Sequence, residues 1–123
     1  MSLNTLVIGA SPKPERYSFK AINMLKEYGH TVKAIGLKEM MLGDTKINKG
    51  LPDFNNIDTV TLYLGPKNQK EYYNYIMEMN PRRIIFNPGS YNPDLIGMAE
   101  EKGIEVIEAC TLVMLSTGQF EEY

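Results

Sequence analysis

Short runs rich in valine, isoleucine and threonine recur along the chain: Thr5–Ile8, Thr31–Ile35, Thr59–Leu64, Arg83–Phe86 and Glu105–Ile107. Runs of this length and β-branched character predict strands. Between them the apolar positions switch to helical spacing. Phe19, Ile22, Leu25 and Tyr28 recur at three-residue steps and stop at Gly29, which predicts an amphipathic helix with a glycine at its end. Tyr72, Tyr73, Ile76 and Met77 before Asn80-Pro81 predict a second helix. Leu95, Met98 and Ala99, closed by Gly103, predict a third, and Thr111–Ser116 a short fourth.

Strands alternating with helices at this pace predict right-handed crossovers and a parallel sheet covered on both faces. The expected fold is therefore α/β: a single three-layer Rossmann-like domain over residues 1–123 with a five-stranded, mainly parallel sheet. Gly36–Asp58 breaks the rhythm. Its turn residues, Gly43-Asp44, Lys49-Gly50 and Leu51-Pro52-Asp53, mark a long excursion after the second strand, with room for a short extra strand or a helical turn.

Composition narrows the function classes. The chain has 123 residues, 13 basic and 15 acidic, for a formal net charge of −2. Nucleic-acid binding needs a broad basic face to release counterions, so this balance argues against it. One cysteine, Cys110, and one histidine, His30, leave no disulfide framework and no His- or Cys-rich zinc site. No apolar run approaches the ~20 residues that cross a bilayer, and the first residues do not read as a signal peptide. A reduced, cytoplasmic protein is the expectation.

In an open α/β sheet, ligands sit beyond the carboxyl ends of the strands, where helix N-termini also point. That edge comprises Gly9-Ala10-Ser11, Gly36-Leu37-Lys38, Gly65-Pro66-Lys67, Asn87-Pro88-Gly89-Ser90 and Glu108-Ala109-Cys110-Thr111. Gly9 permits close backbone approach, Ser11 can donate to an anion, and a helix starting near Tyr17 aims free N–H groups at the same spot. Arg16 adds a bidentate grip on a phosphate. Gly-x-Ser alone is equally compatible with a plain tight turn. The full dinucleotide fingerprint is missing: one glycine stands where three are needed, and the second strand ends in Ile35-Gly36 where an acidic residue would bind the ribose.

The other charged and reactive residues sort by position. Lys38 and Lys67 lie on the ligand edge, and Lys13 and Lys20 are possible helpers. Arg82, Arg83 and His30 precede strands and fall at the opposite edge, the arginines on a solvated face and the histidine as a boundary residue. Cys110 follows the last strand near a helix start, where a thiol can be activated if exposed; burial as a small hydrophobe is the plainer reading. The tyrosine-rich Tyr72–Tyr75 segment and the scattered methionines read as packing.

Taken together, Val7-Ile8-Gly9-Ala10-Ser11 followed by Pro14-x-Arg16-x-Ser18, then Gly29-His30-x-Val32, Gly89, and Gly103-Ile-x-Val106-Ile107 leading to Cys110, resemble the stand-alone CoA-binding domain family. That family is similar to the CoA-binding domain of the succinyl-CoA synthetase α subunit. The resemblance implies that Gly9, Ala10, Ser11 and Arg16 hold the CoA diphosphate. It puts Lys38 near the adenosine and its 3′-phosphate, with Pro66 and Asn87-Pro88-Gly89 bordering the cofactor further along. Two motifs depart from the family pattern. Gly36-Leu37 stands where an Asn-Pro pair is usual, and Asn87-Pro88-Gly89 where Gln-x-Gly is usual.

The expected function is binding of CoA or an acyl-CoA, a small-molecule ligand, without catalysis of its own, because no acid–base or nucleophile–base pair can be placed on the edge. The alternative is a small enzyme using a nucleotide cofactor or thiol exchange at Cys110. A phosphorylation-receiver reading fails because the third strand ends Leu64-Gly65-Pro66, without an aspartate. A protein partner is not identifiable from the sequence.

Overall fold

In the computed structural model, which describes residues 2–122, the chain builds one twisted sheet with helices on both faces. The strands are β1 (Thr5–Ala10), β2 (Val32–Gly36), β3 (Met40–Leu42), β4 (Thr45–Asn48), β5 (Thr59–Leu62), β6 (Arg83–Phe86) and β7 (Glu105–Glu108). The helices are α1 (Tyr17–Glu27), α2 (Tyr73–Met79), α3 (Pro93–Glu101) and α4 (Thr111–Ser116), and two 3-10 turns, Pro66–Asn68 and Lys70–Tyr72, lead into α2.

The sheet has seven strands, not five, in the order β3-β4-β2-β1-β5-β6-β7. All neighbours are parallel except β3 and β4. The two additional strands come from the Gly36–Asp58 excursion, which folds as a hairpin and joins the sheet through β4 beside β2. Met40–Leu42 has no β-branched residue and Thr45–Asn48 interrupts its two with Lys46, so neither stands out as a strand in the sequence, and only Thr45 and Ile47 of this hairpin's strands are buried. The turn itself is Gly43-Asp44, with Gly43 at φ +62°, the left-handed geometry that suits a two-residue hairpin.

Strand alternation divides the core in two. Leu6 and Ile8 of β1 pack with Val60, Leu62, Ile84 and Phe86 against Ile76 of α2 and Leu95 and Ala99 of α3. Val7 and Ala10 point the other way, joining Ala34, Ile47 and Ile85 against Ile22 and Leu25 of α1 and Met114 and Leu115 of α4. Central parallel strands are covered on both sides, and β1, β5 and β6 are buried along nearly their whole length, the threonines of β5 and Arg83 of β6 included.

The edge at the amino ends of the strands departs from expectation. Arg82 is partly exposed and pairs with Asp58 at 2.8 Å, but Arg83 is fully buried instead of lying on a solvated face. As the first residue of β6, Arg83 faces inward, donating Nε–H to Thr59 Oγ1 at 2.7 Å and laying its guanidinium 4.4 Å from the Phe120 ring centre. Burial lowers its pKa to about 10. His30 is also buried. Its Nδ1 accepts the Leu3 N–H at 3.0 Å, its ring packs on Phe120, and Nε2 lies 3.5 Å from Glu121 Oε1.

Candidate functional site

The connection from β1 runs through α1 to β2 on one side, and the chain later returns to β5 on the other side of β1. This reversal of direction opens a crevice at the carboxyl end of β1, the place where ligands bind in such sheets. A cleft of about 800 Å³ lies there, within the range of pockets that hold cofactor-sized molecules.

The middle of the cleft is Gly9-Ala10-Ser11 with Lys13, Arg16 and Ser18. Gly9 interrupts the β1–β2 register and adopts φ +94°. A Cβ there would sit 2.9 Å from the Tyr63 backbone. Glycine is thus required at this position by the close approach of β1 to the end of β5, before any ligand is considered.

The loop that follows is tied to α1. The Ser11 N–H donates to Ser18 Oγ at 3.1 Å, and Ser11 Oγ accepts the Lys13 N–H at 3.2 Å, leaving the Ser11 hydroxyl proton free to donate. Arg16 is the N-cap of α1, with extended backbone and no side-chain cap on the helix. The first amides of α1 therefore lack side-chain partners. No acidic residue occupies the first turn, and the dipole favours a negative charge there.

Two arms extend from this centre. Beyond β2 lie Gly36, Leu37, Lys38 and Met40, and beyond β5 and β6 lie Tyr63, Leu64, Gly65, Asn68, Glu71, Tyr72, Pro88 and Gly89. Gly89 has φ +90° and open space around its Cβ position, so the chain leaves room at that point of the wall. The Tyr63 hydroxyl is buried, within reach of Thr61 and Thr111 but without a well-formed hydrogen bond to either; burial pushes its pKa up to about 12.

Of the residues expected at the site, Gly9, Ala10, Ser11, Arg16, Lys38, Pro88 and Gly89 come together around the cleft. Lys13, weighed as a helper, also lines it. Pro66 and Lys67 do not; they sit on the 3-10 turn that leaves the β5 end. Asn87 is 3% exposed and turns its side chain into the fold: Nδ2 donates to Thr61 Oγ1 at 2.6 Å and to the Leu62 carbonyl at 2.9 Å, and Oδ1 accepts the Thr111 N–H. Cys110 is half-buried as the N-cap of α4 and does not line the cleft.

A further residue, Gln69, shapes the site without a sequence signal. Fully buried, it donates Nε2–H to the Leu64 carbonyl at 2.8 Å and the Ser90 carbonyl at 2.7 Å, and its Oε1 accepts from Asn92 Nδ2 at 2.9 Å. Asn92 in turn bonds the Tyr73 hydroxyl and caps α3 through the Asp94 and Leu95 amides. This buried network bolts the β5 loop to the β6 loop, fixing the wall that carries Gly65 and Gly89. A lone Gln between Asn and Lys reads as surface in the sequence.

Among the described residues, no three His, Cys, Asp or Glu side chains are grouped so as to hold a metal ion, and no helix is long and apolar enough to cross a membrane.

Comparison with known proteins agrees with the architecture. A family model described as a CoA binding domain matches residues 4–116. A crystal structure of an uncharacterized protein is similar at 42% identity and a TM-score of 0.94, covering 98% of this chain and 99% of that one. A hypothetical protein from Pyrococcus horikoshii OT3 is similar at 25% identity and a TM-score of 0.83, covering 92% and 81% of the two chains. The cell-free ID.343 protein from Thermus thermophilus, at 19% identity and a TM-score of 0.84 over 97% and 91%, shares the fold. No curated protein matches the sequence.

Proposed function

The chain belongs to the CoA-binding domain family, and on that premise we propose that it binds CoA or an acyl-CoA in the cleft at the end of β1 and performs no chemistry of its own. The observation that carries this reading is the uncapped N-terminus of α1 facing the Gly9-Ala10-Ser11 turn, with Lys13 and Arg16 on the same cleft. Backbone donors, a free Ser11 proton and two cations together suit a diphosphate.

The residues present fit the rest of such a ligand. Lys38, exposed on the β2 arm, offers a charge to a further phosphate, and Leu37 and Met40 beside it offer apolar surface. The opposite arm offers Leu64, Gly65, Tyr72, Pro88 and Gly89 to an extended chain, with Asn68 and Glu71 as its polar side chains. CoA itself supplies a thiol that carries acyl groups as thioesters. The contribution of this chain is to grip the phosphates, orient the molecule and keep the cleft in shape through the Gln69–Asn92 network.

Among the described residues Glu71 is the one carboxylate lining the cleft, and the Tyr63 hydroxyl is held protonated by burial. Thiol exchange at Cys110 has no observation in its favour, since that residue does not line the cleft.

Calorimetric titration with CoA, acetyl-CoA, dephospho-CoA, ATP and NAD tests the reading. The expected result is saturable binding of CoA and acetyl-CoA, with dephospho-CoA weaker and NAD weaker still. No heat with any CoA species, where a known CoA binder responds, would refute it.

A further inference from the structure

The two edges of the sheet are built differently. The β7 edge carries exposed Glu105 and Glu108 at its ends, charges that discourage pairing with another strand. The β3 edge carries Met40, Met41 and Leu42 with no charge, no proline and no bulge. Met40 and Met41 are 40% and 61% exposed, and nearby Leu37 is 90% exposed.

Hairpin geometry decides where the backbone groups of β3 point. Leu42 pairs with Thr45 across the two-residue Gly43-Asp44 turn, so that pair exchanges both of its hydrogen bonds. The next pair, Met41 with Lys46, is then the non-hydrogen-bonded kind, and Met40 with Ile47 is bonded again. Met41 therefore turns its N–H and C=O away from β4, out of the sheet edge. An exposed methionine with a donor and an acceptor facing outward, flanked by apolar residues, is a template for another strand.

The geometry points to a second copy of this chain as that strand, paired antiparallel to β3 about a two-fold axis through Met41. The pairing is self-complementary, as a two-fold interface must be. Met41 of each copy exchanges both backbone hydrogen bonds with Met41 of the other, and Met40 faces Leu42 of the second copy. In the same register Lys38 comes level with Asp44 of the second copy, whose carboxylate already accepts from Lys26 of its own chain, so Lys38 would join that ion pair at both ends and no like charges meet between them. The two seven-stranded sheets become continuous. The Gly43-Asp44 turn of each copy then stands beside Lys38 and Met40, at the rim of the cleft of the other. This inference rests on the β3 edge alone and is independent of which ligand the cleft takes.

Sedimentation velocity and hydrogen–deuterium exchange on the purified full chain, without ligand, over a range of concentrations test it. The expected result is a monomer–dimer equilibrium in which protection of the Met41 amide rises with protein concentration. Met41→Lys, which sets two like charges across the axis, and Met41→Pro, which removes the outward donor, should each weaken association about tenfold or more. Circular dichroism should stay unchanged, because the side chain is exposed and the lost N–H faces outward. A monomer at every concentration, a dimer that neither substitution weakens, or a Met41 amide that exchanges fast within the dimer would each overturn the inference.

Discussion

Asn87 Oδ1 accepts the Thr111 backbone N–H at 2.8 Å, joining the end of β6 to the start of α4. The same side chain reaches β5 through Thr61 and Leu62, and Thr61 and Thr111 share a hydroxyl–hydroxyl bond at 2.8 Å. A single buried amide thus holds three elements together beneath the cleft without lining it.

Replacing Asn87 by leucine should therefore cost stability more than affinity. Three hydrogen bonds are lost and the Thr111 N–H and Leu62 carbonyl are left buried, a penalty of about 3 kcal/mol. Urea denaturation measures the loss. Calorimetry on the fraction that stays folded should give a CoA affinity within a few-fold of the parent; a collapse in affinity with unchanged stability would mean that Asn87 contacts the ligand directly.

Arg16→Ala should behave in the opposite way. Arg16 is exposed, makes no side-chain cap and lies on the cleft, so the melting temperature of the free protein should hardly move. CoA affinity should drop about tenfold, the usual effect of losing one charge-assisted hydrogen bond. The affinity of the variant should also fall less steeply with added salt, because one phosphate contact fewer is screened.

Two glycines allow a paired test of crowding. A Cβ on Gly36 would lie 2.4 Å from the Ala10 carbonyl oxygen and 2.8 Å from Ile47 Cγ2, so Gly36→Ala must push β1 and β2 apart at about 1–3 kcal/mol. Both Gly36 and Ala10 line the cleft, and ligand affinity should fall with stability. Gly97, inside α3, has nothing within 4 Å of its Cβ position. Gly97→Ala should therefore stabilise by about 0.5–1 kcal/mol. Thermal denaturation of both variants reads the contrast.

His30 sets a pH dependence. Burial holds its pKa below the ordinary 6.5, with Glu121 opposing. The unfolded chain therefore takes up a proton before the folded one does. Stability contributed by neutral His30 is complete above about pH 6.5 and is lost as the pH falls from there toward the lowered folded value. His30→Gln, which cannot titrate, should flatten the denaturation midpoint between pH 7 and 5 while lowering it at pH 7, because the Leu3 and Phe120 contacts change. An equally steep decline in the variant would assign the pH dependence to other groups.

The sequence by itself determined the alternation of strands and helices, because each run's period of apolar residues fixes which face it must bury. It also determined which loops gather at one end of the sheet, since every parallel crossover brings the chain back in the same direction. Gly9, Ala10, Ser11, Arg16, Lys38, Pro88 and Gly89 were legible for that reason: each follows a strand, or leads into a helix, at that end. Tertiary structure decided the rest. Thr45–Asn48 becomes a strand because β2 offers it an edge, while its alternating Thr, Lys, Ile and Asn do not set it apart from the turns around it. Arg83 is buried because the first residue of β6 faces Phe120 from the end of the chain. Asn87 turns into the fold and Gln69 locks two loops because buried carbonyls and amides at the strand ends need partners. Such partners are set by where distant segments meet, and a polar residue looks the same in sequence whether it faces a ligand, the core or water.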